Sequence, residues 1–291
     1  MALRSWLFVP GDSEKKLSKA ADTGADAIIL DLEDSVTLAN KPRARELALG
    51  WLQATRSDAA SQGRWVRINA LDSDMWRDDL SAVMPGAPDG IMLPKSAGPE
   101  SVQQLAAEIY ELEGRNGIAN GSTKILPLVS ETAAAAITIP AYATVPMPRL
   151  VGLTWGAEDL SAAIGATRKR DANGEWTDAF RFARMQTLLT AHACEVFAID
   201  TLHADFSDTD GLKRAAEAAR ADGFSGMLAI HPAQVPVINA AFTPTDAEMA
   251  EARAIVDAFT ANPNAGALQI EGRMIDRPHL KLAQRLLGIA E

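Results

Sequence analysis

Residues 24–36 read GADAIILDLEDSV. From Ala27 to Leu32 the run is apolar, broken only by Asp31, and two acids, Glu33 and Asp34, follow at once. A strand buried on both faces reads this way, because helices cover a parallel sheet on each side and leave neither face to water. Polar residues placed just past such a strand are candidates for a site, since barrels of parallel strands build theirs from the C-terminal strand ends.

Working outward, seven more runs of this kind occupy residues 5–9, 65–69, 90–93, 125–129, 150–154, 196–200 and 227–231. Segments with helical spacing separate them. Leu105, Ile109 and Leu112 recur at i, i+4 and i+7 in one. Met185, Leu188, Leu189 and His192 do so in another, which predicts a core-facing His192. Eight strand–helix units predict an α/β fold, a closed (β/α)8 TIM barrel over residues 1–242, with an open doubly wound sheet as the alternative. No G-x-G-x-x-G follows a strand and no G-x-x-x-x-G-K-[ST] occurs, which argues against the common nucleotide folds.

Beyond an eighth helix at 232–242, residues 245–260 predict a further helix with Thr245 as N-cap and Glu248 in the capping-box position. A turn-rich stretch at 262–266, a short run at 268–272 and a last helix from Pro278 complete the chain. A bare barrel has no place for this C-terminal helical extension of residues 243–291, which is expected to pack on a neighbouring subunit.

Of 291 residues, 47% are hydrophobic and 23% charged, ordinary for a soluble globular protein able to bury a large core. The single cysteine, Cys194, excludes an intrachain disulfide and a cysteine-rich zinc site, and reads as small core packing. No apolar run reaches membrane-spanning length, and the N-terminus turns charged too early for a signal peptide, so a cytoplasmic protein without membrane partners is expected. Lysine and arginine total 28 against 38 acids, a net charge of −10, which speaks against nucleic acid as a partner. An anionic ligand would need local positive charge. Lys15, Lys16 and Lys19, just after Phe8-Val9-Pro10-Gly11, could be a solvated helix face or a phosphate grip. The acidic background favours the grip.

Polar residues gather at one set of strand ends: Glu33, Asp34, Arg67, Pro94-Lys95, Glu131, Glu158, Asp159 and Asp200. Singly, such carboxylates often cap the next helix. Together, around one arginine, they suit a hard cation such as Mg2+, held by one or two carboxylates with water and substrate completing the octahedron. Such an ion polarises a carbonyl or alkoxide, and an arginine opposite it neutralises a developing enolate. The four histidines lack metal-ligand spacing, and no G-x-S-x-G elbow is present.

Nine segments in order resemble the citrate lyase β-subunit-like proteins of the HpcH/HpaI aldolase family, closest in pattern to its malyl-CoA and citramalyl-CoA lyases. They are LFVPGDSEKKLSKA, GADAIILDLEDSV with Lys41 and Arg45 after it, VRIN, LPK, ETA, GLTWGAEDLSAAIGATR, AIDTLHADF, GFSGMLAIHPAQ and GRMIDRP. The resemblance implies a homotrimer or hexamer. It also implies Mg2+, with Mn2+ as a substitute, and a carbon–carbon lyase that splits a 3-hydroxyacyl-CoA thioester into acetyl-CoA and a 2-oxoacid, glyoxylate or pyruvate. Position by position, Glu131 and Asp159 match the metal-binding carboxylates, and Arg67 the arginine on the thioester or oxoacid oxygens. Phe8, Lys15 and Lys19 match CoA contacts, Ile199 and Asp200 a backbone substrate contact, and Glu33 and Asp34 an acidic pair behind the metal. Asp276 matches an aspartate brought from a neighbouring subunit as acid or base. Trp155 departs from the pattern, standing where relatives commonly have phenylalanine. Malate synthase-like condensation, thioester hydrolysis, aldol cleavage of a free hydroxy-dioic acid, a citrate lyase β-type subunit within a complex and a non-catalytic scaffold subunit are the rival readings. The tail, which short citrate lyase β subunits tend to lack, argues against the last two.

Overall fold

The computed structural model describes residues 3–56 and 62–289, so the chain ends at residues 1, 2, 290 and 291 lie outside the description. The chain divides into two compact units, Met1–Phe242 and Thr243–Glu291.

The first unit is the expected barrel. Strands β1 (Ser5–Pro10), β2 (Ala27–Asp31), β3 (Gly63–Arg67), β4 (Gly90–Leu93), β5 (Lys124–Pro127), β6 (Gly152–Thr154), β7 (Phe197–Asp200) and β8 (Gly226–Ala229) form one sheet in the order β5-β4-β3-β2-β1-β8-β7-β6. Every ladder in it is parallel. The ring is nearly closed between β5 and β6, where Ile125 bridges Leu150, Leu128 bridges Thr154, and Val129 N–H donates to Thr154 O at 2.9 Å.

Alternation along each strand sorts side chains into two cores. Ile28, Leu30 and Leu32 join the outer core beneath the helices, with Leu105, Ile109 and Leu112 of α4 (Pro99–Asn116). Ala27 and Ile29 point inward and fill the barrel with Trp6, Trp65, Met92, Leu126, Leu128, Ile199 and Leu228. Trp6 and Trp65 meet edge to face at 5.0 Å. A Cβ on Gly90 would lie 2.2 Å from the Trp65 ring, so only glycine admits that indole. Each fully buried aliphatic side chain here contributes roughly 1.5–3 kcal/mol. The same period of two carries Asp31 to the inner side, where the apolar filling gives way to polar chemistry.

Several expectations shift. β3 begins and ends two residues earlier than the run at 65–69 suggested, so Arg67 closes the strand instead of lying within it. The first helix, α1, spans only Glu14–Leu17, which leaves Lys19 in the turn beyond it. α7 (Asp178–Ala193) buries Phe180 together with the small residues Ala183, Thr187, Thr190 and Ala191. Of the expected stripe only Leu188 packs against the core: Met185 and Leu189 are exposed, and so is His192, which bonds Gly223 O instead of entering the core. Cys194 ends that helix half-buried, packed against the core.

In the second unit, α10 (Asp246–Ala261) has the expected capping box: Glu248 N–H donates to Thr245 Oγ1 at 3.2 Å, and Thr245 N–H to Glu248 Oε2 at 2.7 Å. An antiparallel hairpin follows, β9 (Ala267–Ile270) and β10 (Arg273–Asp276). The sequence suggested only a short run there. The turn is Glu271-Gly272, both with positive φ, a geometry usually signalled by Asn-Gly or Asp-Gly. Helix α11 (Arg277–Leu287) starts at Asp276, its N-cap. Among the described residues no helix is long and apolar enough to cross a membrane.

Candidate active site

A cavity of about 550 Å³ opens at the C-terminal strand ends. Asp31, Arg67, Glu131, Glu158 and Asp159 line it, with Phe8, Trp155, Thr201 and His231. Three elements supply the central trio. Arg67 ends β3, Glu131 stands in the loop between β5 and α5 (Ala133–Thr138), and Asp159 lies in the first turn of α6 (Ala157–Ile164).

Arg67 is fixed by a residue that the motif reading passed over. Its Nε and Nη2 each donate to one oxygen of Asp31 at 2.7 Å, the two-pronged geometry that matches guanidinium to carboxylate. Its Cζ sits 4.8 Å above the Phe8 ring, and Nη1 lies 3.0 Å from Glu33 Oε2. Burial would raise the Asp31 carboxyl, but Arg67 outweighs it and holds Asp31 below the usual carboxylate range. Two of the five guanidinium donors are committed to Asp31, and both Nη atoms retain N–H groups for a ligand.

Glu131 is buried, and its Oε2 accepts the backbone N–H of Lys95. Lys95 reaches that oxygen from a left-handed backbone, φ +49°, a strained state for a side-chain-bearing residue. Its ammonium pairs with Glu33. Burial first, then the nearby Asp159 and Glu33, push the Glu131 carboxyl up to about 8, against the Lys95 N–H and Arg67. Two acids facing one cavity this closely create a deficit of positive charge. Gly156 permits the approach, because a Cβ there would lie 3.1 Å from Glu131 Cγ.

Other expected residues fall in place less evenly. Lys15, Lys16 and Lys19 are exposed and line the cavity with Phe8. Glu33 and Asp34 do not line it: Glu33 is spent on Arg67 and Lys95, and Asp34 is exposed, 3.6 Å from Lys95 Nζ. Ile199 packs inside the barrel, and Asp200 turns outward to Arg184, so the cavity is lined by the next two residues, Thr201 and Leu202. Asp276, in the second unit, holds His279 Nδ1 at 2.5 Å and its carboxyl is held low by that bond.

Residues 4–232 match the HpcH/HpaI aldolase/citrate lyase family. The chain belongs to that family. As an HpcH/HpaI protein it is 37% identical over 282 residues to a citrate lyase subunit beta-like protein of Mycobacterium tuberculosis, covering 97% of this chain and 93% of the relative. It is 34% identical to the mitochondrial citramalyl-CoA lyase of Rattus norvegicus, covering 99% and 86%. The M. tuberculosis protein CitE, crystallised with magnesium, acetoacetate and coenzyme A, superposes with a TM-score of 0.77 at 36% identity over 99% of this chain and 97% of that one. In this HpcH/HpaI chain no group of three or more His, Cys, Asp or Glu side chains is arranged for a metal among the described residues. Of the four carboxylates lining the cavity, Asp31 is spent on Arg67 and Glu158 pairs with Lys169, which leaves Glu131 and Asp159 as donors. That is a fit for Mg2+, which usually takes one or two protein carboxylates and leaves the other positions to water and substrate.

Proposed function

We propose that the protein is a magnesium-dependent carbon–carbon lyase acting on a malyl-CoA or citramalyl-CoA type thioester, yielding acetyl-CoA and a 2-oxoacid. The observation that carries the reading is one cavity that presents Glu131 and Asp159 to each other and Arg67 beside them. The names of the relatives, and the magnesium, oxoacid and CoA complex of CitE, agree with it.

Glu131 and Asp159 hold the cation. The bound cation supplies Lewis acidity to the substrate's hydroxyl and carboxylate. Arg67, oriented by Asp31, donates to the thioester oxygen and strengthens that bond as the carbon–carbon electrons move onto it. The lysines at 15 and 19 grip the CoA phosphates against Phe8. Glu33 and Asp34 act from behind, through Lys95 and Arg67. The backbone beside Ile199 and Asp200 completes the acyl contact. The hydroxyl proton released on cleavage has to reach the enolate carbon: Asp276 of a second copy, an ionised carboxylate at rest, takes up that proton and delivers it to carbon, and in the reverse direction removes it. The extension at 243–291 thus belongs to the site of a homo-oligomer, and Mn2+ would substitute for Mg2+.

The deciding experiment incubates purified protein and Mg2+ with malyl-, citramalyl- and methylmalyl-type CoA esters and reads products by mass spectrometry. Cleavage to a shorter acyl-CoA and a 2-oxoacid is expected. Release of free CoA with an intact hydroxy-dioic acid, or no turnover of any ester, rejects the lyase.

A further inference from the structure

We infer that Lys41 is a positioning residue for Arg67: its ammonium grips the peptide between Leu32 and Glu33, and that peptide holds the Asp31 carboxylate that aims the guanidinium. Its effect on turnover rests on the enolate role given to Arg67 above. Lys41 and Arg45 belong to the segments that carry the family resemblance, yet neither lines the cavity and the proposed chemistry gives neither a task.

Lys41 opens α2 (Lys41–Ala54) and is only 7% exposed. Burying an ammonium is costly unless it is fully hydrogen-bonded. Here its three donors meet three acceptors: Leu32 O and Glu33 O at 2.7 Å each, and Asn69 Oδ1 at 2.8 Å. Burial lowers the Lys41 pKa, and the field of Asp79, Asp31, Glu33 and Asp34 works against that. The Asn69 amide cannot turn away. Its Nδ2 donates to Leu32 O at 3.0 Å and to Asp79 Oδ2 at 2.7 Å, and its backbone N–H reaches the same Asp79 oxygen at 2.7 Å. Arg45, one turn beyond Lys41 on the same face of α2, fixes the other Asp79 oxygen through Nε at 2.7 Å.

The path to the cavity runs through one peptide group. A peptide is planar, so fixing its carbonyl fixes its N–H. Leu32 O accepts from Lys41, and on the opposite edge of the same plane Glu33 N–H donates to Asp31 Oδ1 at 2.9 Å. The next carbonyl, Glu33 O, is held by Lys41 and by Val36 N–H at 3.1 Å, and Ser35 N–H in that turn donates to Asp31 Oδ2 at 3.1 Å. Asp31 passes the orientation on to Arg67 Nε and Nη2. Hydrogen bonds linked in this way polarise one another. Without the ammonium both carbonyls lose their buried donor, the peptide turns, and Asp31 is released to swing with Arg67.

The test reads Arg67 first without any substrate. Hydrogen exchange of arginine Nε–H groups is followed by NMR in metal-free protein labelled with [15N]arginine, the Arg67 resonance being the one lost in Arg67→Lys. Arg184, whose Nε donates to Asp200 at 3.0 Å across the barrel, is the internal control. In Lys41→Met the Arg67 Nε–H should exchange roughly tenfold faster or more, with Arg184 unchanged. For whichever malyl- or citramalyl-type ester is cleaved, kcat should fall roughly 10–100-fold, part of what one oxyanion donor supplies, while calorimetric affinities for CoA and Mg2+ hold. Added to Arg67→Lys, the same substitution should cost far less than it does alone, because the guanidinium it aims is gone. Equal acceleration at Arg67 and Arg184, no acceleration at Arg67, or a full kcat loss that survives in Arg67→Lys overturns the inference. Lys41→Gln, which keeps an N–H donor on a shorter arm, is read by the same criteria should Lys41→Met fail to fold. If wild type cleaves no ester, the lyase reading falls and the exchange comparison still decides the role of Lys41.

Discussion

Glu131 shows how one carboxyl can report on the whole site. Its folded pKa, about 8, lies above the ordinary value of 4.5, so the folded metal-free protein binds a proton that the unfolded chain releases. The stability this contributes is complete below pH 4.5 and is lost as pH rises through about 8. Glu131→Gln, which mimics the protonated form, should therefore leave stability unchanged in acid and raise it relative to wild type as pH approaches 8. Denaturant titrations in EDTA across that range measure the difference, and parallel curves for the two proteins would refute the raised pKa. Mg2+ should reverse the trend for wild type alone, stabilising it more at pH 8 than at pH 6, because the ion competes with the proton. The neighbours of Glu131 differ in how far the sequence announced them. Asp31 was open to reading, since a charge inside a buried run at an inward position needs a partner. Lys95 was not, because nothing in Pro94-Lys95-Ser96 signals a left-handed backbone in which a peptide N–H, and not the ammonium, meets Glu131.

Strands and helices divide the labour between their two ends. At the end away from the cavity, ion pairs latch the barrel: Arg4 to Asp26 and Arg64 to Asp89 between neighbouring strand starts, and Arg149, just before β6, to Glu113 of α4. The last pair is buried, with Arg149 Nη1 and Nη2 on the two Glu113 oxygens at 2.8 and 2.6 Å and the N–H groups of Gly121 and Thr123 completing the shell. Burial alone would raise Glu113, but these donors hold it down at about 2, so the pair stays ionised until pH falls well below 4.5. Arg149→Met strands a buried carboxylate and should cost about 3–5 kcal/mol of unfolding free energy, read by denaturant titration, with a loss under about 1 kcal/mol contradicting this. At the cavity end, α1 carries its lysines over Phe8. Replacing Lys15 and Lys19 together with alanine should weaken CoA binding tenfold or more at low salt and flatten its salt dependence, while leaving Mg2+ affinity alone. Undiminished calorimetric affinity for CoA would return those lysines to the status of a solvated face. Most elements were legible because two periodicities, two and 3.6, were written plainly in them. α7 was misread in part: Leu188 of the expected stripe packs on the core, but Met185, Leu189 and His192 face outward, and Phe180 with small residues fills the rest of the buried face.

At the scale of the whole molecule, the question is which chain completes which cavity. The barrel unit brings Glu131, Asp159, Arg67 and a rim of lysines to one cavity. Asp276 belongs to the second unit, as N-cap of α11 and partner of His279. If that unit serves a neighbour's barrel, the two halves of the chemistry reside on different copies. Asp159→Ala should then abolish Mg2+ binding and turnover in a folded protein. Asp276→Asn should keep Mg2+ and CoA affinity but slow the chemical step by roughly 10²–10⁴-fold, the usual weight of acid–base catalysis. Neither variant alone can turn over at the wild-type rate. A mixed oligomer contains some cavities with an intact barrel from the Asp276→Asn copy and an intact aspartate from the Asp159→Ala copy. Mixing the purified variants under conditions of subunit exchange should therefore restore a fraction of wild-type activity, rising with time and saturating when exchange is complete. If exchange, followed by mass-labelled subunits, proceeds and activity does not return, Asp276 acts within its own chain or not at all.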